Sequence, residues 1–321
     1  MPEHPSARAR VVAQHRGGYT VRTPEGEDRI ATLTGALRHA GQHAVVGDYV
    51  DVENDTITVI APREGGVIQR GGDEAPLAAN VDQAWIVNAL GRDVSPRRVE
   101  RYLALAAAGR VDPVVIVNKA DLAPDPPLEE ALGELRAVAP GVPVLPVSAK
   151  QGTGLETLQQ MLAPDKTAVL LGSSGAGKST LTNRLLGEER QAIAEVRAAD
   201  EKGRHTTTRR ELIELPGGGA LIDTPGLRAV PVTAEALDAG AFQDIDELAQ
   251  QCRFGDCTHT VEPGCAVRAA VESGNLAADR LESYLRIAAE ADSERLRLER
   301  QRAGRLGARA LRQLYRDRGE R

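Results

Sequence analysis

Gly172-Ser173-Ser174-Gly175-Ala176-Gly177-Lys178-Ser179 fits the spacing G-x-x-x-x-G-K-[ST] without a mismatch. Glycines at those positions let successive backbone N–H groups turn inward and form a nest for the α- and β-phosphates of a nucleoside triphosphate. The Lys178 ammonium can then reach the β- and γ-phosphates, and the Ser179 hydroxyl can ligate Mg²⁺, with Thr180 next to it. The flanks agree with this use. Thr167–Leu171 reads as a buried strand entering the loop. Ser179–Leu186 reads as the helix leaving it, with its N-terminus aimed at the anion. A glycine-rich turn that matched by chance would need neither flank.

Two further segments speak to the base. Asn118-Lys119-Ala120-Asp121 has the form N-K-x-D and resembles the guanine-specificity motif of the GTPase superfamily. The Asp121 carboxylate can accept from the ring N–H and the exocyclic amine of guanine, a donor pair that adenine lacks. Asn118 can bond the other edge, and the Lys119 stem can cover the base. In the same superfamily pattern Ser148-Ala149-Lys150 offers the Ala149 backbone N–H to guanine O6. GTP and GDP are therefore the expected nucleotides.

The hydrolytic end is read from Asp223-Thr224-Pro225-Gly226, a D-x-x-G at the end of an apolar strand. Asp223 can hold Mg²⁺ through water, and the Gly226 N–H can sense the γ-phosphate. Between this motif and the phosphate loop, residues 200–209 form a polar stretch with the character of a switch. Thr207 or Thr208 is the expected second Mg²⁺ ligand there, ordered by the γ-phosphate; Thr208 is the preferred one. Ras-type GTPases place a water-orienting Gln directly after D-x-x-G, where this chain has Leu227. Leucine cannot orient a water, so slow hydrolysis by the protein alone is expected. His205 is the candidate to take that part, against the plainer reading of a surface histidine. The expected catalytic set is Lys178, Thr208 and His205.

A second kind of chemistry lies near the C-terminus. Cys252, Cys257, His259 and Cys265 follow the spacing C-x4-C-x-H-x5-C and use every cysteine in the chain. Three thiolates and an imidazole make the ligand set of a closed structural Zn²⁺ site, with no open position for catalysis. The competing reading is free cysteines beside a surface histidine.

The elements that must position these groups follow from composition and pattern. The 321 residues suffice for two or three domains; 41% are hydrophobic and 27% charged, an ordinary globular balance. Aromatics are only 2%, so the core must rest on Val, Leu, Ile and Ala. No run is long enough for a membrane span. The first ten residues show no secretory signal, and three clustered cysteines make no disulfide framework, so a cytoplasmic protein is expected. The net charge of −6 speaks against indiscriminate nucleic-acid binding; neither DNA nor a membrane is an expected partner.

Five short Val-rich runs between residues 8 and 65, separated by turn residues, predict a small β-barrel over residues 1–70. An OB-like barrel and an SH3-like or purely structural one fit the pattern equally well. His4, His15, His39 and His43 fall here with no metal spacing, as surface or loop residues. A Gly/Asp/Glu/Pro-rich linker at 71–76 leads into alternating strands and helices. Strands are expected at 81–88, 113–117, 142–147, 167–171 and 220–223, with helices at 95–108, 127–139 and 179–186. Such alternation predicts a mostly parallel α/β sheet over residues 71–231, with ligands at the carboxyl ends of the strands. Residues 232–321 are expected to hold the zinc-binding domain and an arginine-rich helical tail that begins near Asp279. Such a tail is usually a solvated face, though it can also contact RNA phosphate.

The motif order is N-K-x-D, S-A-K, phosphate loop, threonine run, D-x-x-G, whereas ordinary GTPases begin with the phosphate loop. With Ala79–Gln83, Gly203–Thr208, Asp223–Arg228 and the cysteine cluster, the chain resembles the circularly permuted GTPases, specifically the RsgA (YjeQ, EngC) family. That resemblance covers nearly the whole chain. It implies a P-loop GTPase domain followed by a zinc domain, and a GTPase that is slow alone and stimulated by the small (30S) ribosomal subunit. The subunit and its rRNA are the implied partners, late subunit maturation the implied role, and a monomer the expected state. The ribosome rests on resemblance alone. A regulatory GTP-binding module acting on a non-ribosomal protein remains the rival, and a P-loop ATPase or kinase is opposed by Asp121.

Overall fold

Along the N-terminal strands, alternating apolar residues give each strand one buried face. Tyr19 and Val21 point inward from β2 (Gly18–Arg22), and Ala31 and Leu33 from β3 (Asp28–Leu33). With β1 (Ala9–His15), β4 (Tyr49–Glu53) and β5 (Thr56–Ile60) they enclose Ala9, Val11, Val50 and Ile57. The computed structural model describes residues 8–69, 76–91, 94–122, 127–187, 210–224 and 241–317. In it β1 pairs antiparallel with β2 and β4, β2 with β3, and β4 with β5, while β3 runs parallel to β5. The five strands therefore close into a barrel in the order β1-β2-β3-β5-β4.

Two details differ from expectation. A short helix, α1 (Gly35–His39), interrupts the all-β stretch; the Thr34 hydroxyl accepts from the Leu37 N–H at 3.4 Å and starts it. His15 belongs to a strand rather than a loop, with its Nε2 at 2.5 Å from the Thr20 hydroxyl. His39 and His43 are exposed. His4 lies outside the described residues.

The barrel is followed by a hairpin of β6 (Gly66–Ile68) and β7 (Ala78–Val81). Most of the expected linker, residues 71–75, lies outside the described residues. The apolar run 81–88 is not one strand: β7 ends at Val81, and β8 (Gln83–Ala89) begins after Asp82. Asn80 adopts a left-handed φ of +52°, and the Asp82 carboxylate accepts from the Thr167 N–H at 2.8 Å and pairs with Lys166 at 2.9 Å. Those contacts break the run.

β8, β9 (Asp112–Asn118), β10 (Val144–Pro146), β11 (Thr167–Gly172) and β13 (Ala220–Asp223) are parallel, in the order β10-β9-β8-β11-β13. The expected strand 142–147 narrows to β10, with bonds to β9 continuing on both sides: the Val115 N–H donates to the Pro143 carbonyl at 2.9 Å and the Val147 N–H to the Val117 carbonyl at 2.8 Å. Helices cover both faces. Ile86, Val115 and Val169 pack with Tyr102 of α2 (Pro96–Ala108) and with Leu132 and Leu135 of α3 (Pro127–Val138). Trp85, Ile116 and Leu170 pack with Leu158 of α4 (Leu155–Met161) and Leu181 of α5 (Lys178–Leu186). Burial on both faces explains the continuous apolar runs, and each such side chain contributes about 1.5–3 kcal/mol. Ser95 stands at the N-cap of α2, as expected, but makes no side-chain capping bond.

The strand β12 (Glu211–Glu214) is antiparallel to β13 and was not foreseen. Its other edge meets β1, with Ala13 opposite Glu211, so barrel and α/β sheet share one 11-stranded hydrogen-bonded sheet. The chain divides into two compact units, Met1–Arg70 with Ala75–Val230, and Gly71–Glu74 with Pro231–Arg321. The second contains helices Gln243–Ala249, Ala266–Glu272 and Ala278–Asp317. Its core is pinned by Arg280, which forks onto Asp244 at 2.9 and 3.0 Å and lies 4.3 Å over the Phe242 ring. Phe242 meets Tyr284 edge-on at 5.4 Å. No described helix is long and apolar enough to cross a membrane.

Candidate functional site

The loop after β11 turns through three positive-φ glycines, Gly172 (+153°), Gly175 (+87°) and Gly177 (+91°). Two of them are also required by close approach. A Cβ at Gly172 would come 2.3 Å from the Val87 carbonyl oxygen, and one at Gly177 would come 2.3 Å from Asn118 Nδ2. Lys178, the first residue of α5, is buried, and its Nζ donates to the Gly172 and Ser173 carbonyls at 3.0 and 2.8 Å. The ammonium thus sits inside the turn of the loop, where a phosphate would meet it. Ser174, Gly175, Ser179 and Thr180 are exposed, and Ala176 is buried.

The expected base-recognition residues converge on this loop. Buried Asn118, at the end of β9, donates through Nδ2 to the Ala176 carbonyl at 3.0 Å and accepts the Ala149 N–H at 3.1 Å. One side chain therefore ties the phosphate loop to the Ser148–Lys150 turn. Lys119, at φ +62°, donates to the Gly175 carbonyl at 3.0 Å, which lays its stem across the intervening space. The Ser148 hydroxyl donates to Asp121 Oδ1 at 2.6 Å and accepts the Gln151 N–H at 3.0 Å. The carboxylate is thereby aimed. Lys150 is exposed.

Asp223 ends β13 directly opposite Glu211 on β12. Burial pushes its carboxyl up to about 6; Lys178 acts to lower it, and Glu211 adds to the rise. A divalent cation would reverse that shift by favouring the carboxylate. Thr224, hidden in a variable position of D-x-x-G, is a residue that motif reading passed over. Its buried hydroxyl donates to the Leu170 carbonyl at 2.5 Å and fastens the end of β13 to the strand that feeds the loop. His205, Thr207, Thr208, Gly226 and Leu227 lie outside the described residues.

In the second unit the structure brings Cys252, Cys257, His259 and Cys265 together, with ligand atoms all within 4.8 Å of one another. His259 Nδ1 lies 3.7 Å from Cys252 Sγ and 3.4 Å from Cys265 Sγ, and the two sulfurs are 4.0 Å apart. Tetrahedral Zn²⁺, with bonds of about 2.3 Å to sulfur and about 2.0–2.1 Å to nitrogen, needs edges of roughly 3.5–3.8 Å. The donor set and its spacing fit that ion. Burial holds His259 below its usual pKa, in the neutral form a ligand needs, against an upward pull from Glu262 and Asp246. Burial lifts the Cys257 thiol to about 11. At Cys252 burial also acts upward, but the backbone N–H groups of Ala266 and Val267, together with the Cys257 and Cys265 side chains, draw the thiol down.

Comparison with known proteins agrees with this geometry. Residues 60–233 match the RsgA GTPase family. A protein of Xanthomonas axonopodis pv. citri (strain 306) named small ribosomal subunit biogenesis GTPase RsgA is 45% identical over 302 residues, 90% of this chain and 82% of that one. Its namesake in Xylella fastidiosa (strain M12) is 46% identical over 292 residues, 88% of this chain and 87% of that one. Among solved structures, YjeQ from Thermotoga maritima superimposes with a TM-score of 0.68 at 29% identity, covering 89% of this chain and 98% of the other. YloQ, a circularly permuted GTPase, gives 0.64 at 27% identity, covering 89% and 95%. On these matches the chain belongs to the RsgA GTPase family.

Proposed function

We propose that this chain is a cytoplasmic GTPase that binds the small ribosomal subunit late in its maturation and uses GTP hydrolysis to time its release. The observation that carries the nucleotide part is the bridge at Asn118, with Ala176 on one side and Ala149 on the other. It ties the phosphate loop to the Ser148–Lys150 turn, whose Ser148 hydroxyl in turn holds the Asp121 carboxylate. Lys178 and the loop N–H groups would hold the phosphates, and Ser179, with Asp223 behind it through water, the magnesium. Asn118, Lys119, Asp121 and Ala149 would hold guanine. Mg²⁺, when bound, supplies charge neutralisation on the β- and γ-phosphates. Thr208 would complete the metal shell, the Gly226 N–H would sense the γ-phosphate, and His205 would orient the attacking water in place of the glutamine that Leu227 replaces.

In this reading the barrel, whose strand order β1-β2-β3-β5-β4 suits an OB-like fold, and the Cys3His zinc domain touch rRNA, with the permuted P-loop domain between them in sequence. The protein acts as a monomer. The names of the relatives support the ribosomal part. Co-sedimentation tests it: the protein should pellet with small subunits in a non-hydrolysable GTP analogue and be released with GDP. Equal pelleting in both, or none, would contradict the reading.

A further inference from the structure

We propose that Glu262 is the positioning residue of the cysteine–histidine cluster, its carboxylate clamping the turn that presents His259 to the three sulfurs. The observations are local and dense. Glu262 Oε1 accepts from the Thr258 N–H at 3.0 Å and from the Thr258 hydroxyl at 2.5 Å. Its Oε2 accepts from the Thr260 and Val261 N–H groups at 3.0 and 3.1 Å. Four donors thus converge on one carboxylate, and they bracket His259 on both sides. His259 itself sits at φ +61°, a left-handed conformation uncommon for a residue with a Cβ and one that histidine adopts more readily than most. That conformation turns the buried imidazole toward Cys252 and Cys265 and lays it beside the Tyr284 ring at 5.9 Å. The same hydrogen bonds hold the Glu262 carboxyl far down, at about 2, so the clamp stays charged throughout the range in which the cluster binds metal.

A carboxylate is the side chain this arrangement needs. Each oxygen serves two donors, and a glutamine would set an NH2 group against one pair of them. Outer groups that orient metal ligands typically cost 10–100-fold in metal affinity when removed. The proposal rests on the reading of the cluster as a zinc site, and the test separates the two.

Full-length protein is titrated with Zn²⁺ against a chromogenic chelator, with the Co²⁺ absorption spectrum as a second readout. Glu262→Gln should weaken Zn²⁺ binding roughly 10–100-fold. Thr258→Val, which removes one of the four donors, should weaken it by less, and Thr258→Ser should restore it. The melting temperatures of the chelator-treated proteins should be the same with and without Glu262→Gln, which a merely structural role would not give. Wild-type affinity in Glu262→Gln and Thr258→Val, or a melting loss already present without metal, would overturn the proposal. If Glu262→Gln cannot be purified, the valine–serine pair at 258 decides. A wild-type protein that takes up no Zn²⁺ would instead sink the zinc reading and the clamp with it.

Discussion

The nucleotide cradle draws its groups from segments between Asn118 and Asp223, whereas the cysteine cluster takes all four ligands from Cys252 to Cys265. In the first, Asn118, the phosphate loop and Asp223 stand at the ends of strands buried on both faces, and geometry is inherited from a large apolar core. In the second, geometry comes from hydrogen bonds a few residues apart, with Phe242, Arg280 and Tyr284 as the nearby packing. The first cradle should therefore exist without its ligand. The second should depend on its ligand, since structural zinc sites contribute folding energy directly.

That contrast can be broken at its strongest point first. In the proposed reading Lys178→Ala would remove the cation at the phosphates and should lower GTP turnover on the order of 10²–10³-fold while the fold survives, checked by steady-state phosphate release. In the same proposed reading Asp121→Ala would remove two charge-assisted bonds to guanine, each worth about 1.5–3 kcal/mol, and should cut the preference for GTP over ATP by at least 100-fold in competition binding. Chelation of zinc should remove stabilisation of about 4 kcal/mol from the second unit, if the site is held at 1,000 times its Kd, and leave nucleotide affinity unchanged. Two separate melting transitions, of which only one shifts with chelator, would bear this out. A shift in both would mean that the units are not independent in stability.

The same comparison shows what the sequence could and could not reveal. N-K-x-D, the phosphate loop and D-x-x-G were legible because each follows an apolar run whose both-face burial leaves a plain signal, whereas S-A-K follows the short, half-exposed β10 and was legible from its motif. The cysteine spacing was legible for a different reason: three cysteines and a histidine in fourteen residues have few other uses. Short elements set by tertiary contact were not. β12 has four residues, two of them glutamates, and becomes a strand because β13 and β1 flank it. α1 has five residues and rests on its Thr34 cap. Thr224 and Glu262 act through side-chain bonds that no periodicity encodes.

Smaller effects sharpen the picture. Gly177→Ala places a methyl 2.3 Å from Asn118 Nδ2 at a φ of +91°, and should cost about 1–3 kcal/mol while loosening guanine and phosphate together. Calorimetry with GDP would read it. Asp223, pushed up to about 6, predicts a pH effect. Below that value the nucleotide-free protein carries the carboxyl protonated, and bound Mg²⁺ favours the carboxylate. Binding of Mg²⁺–nucleotide should therefore release a proton near pH 6 and tighten as pH rises, by about tenfold per unit below 6 and little above 7. Calorimetry in two buffers of different ionisation enthalpy measures that proton.

GTP turnover of the purified protein, alone, with small ribosomal subunits and with large ones, with Lys178→Ala as the blank, decides between a ribosomal GTPase and a switch for another partner. Turnover should be slow alone, strongly stimulated by small subunits and not by large ones, and lost altogether in Lys178→Ala. Tight GTP binding with no stimulation by small subunits would contradict the ribosomal role and leave a guanine-nucleotide switch acting on another partner.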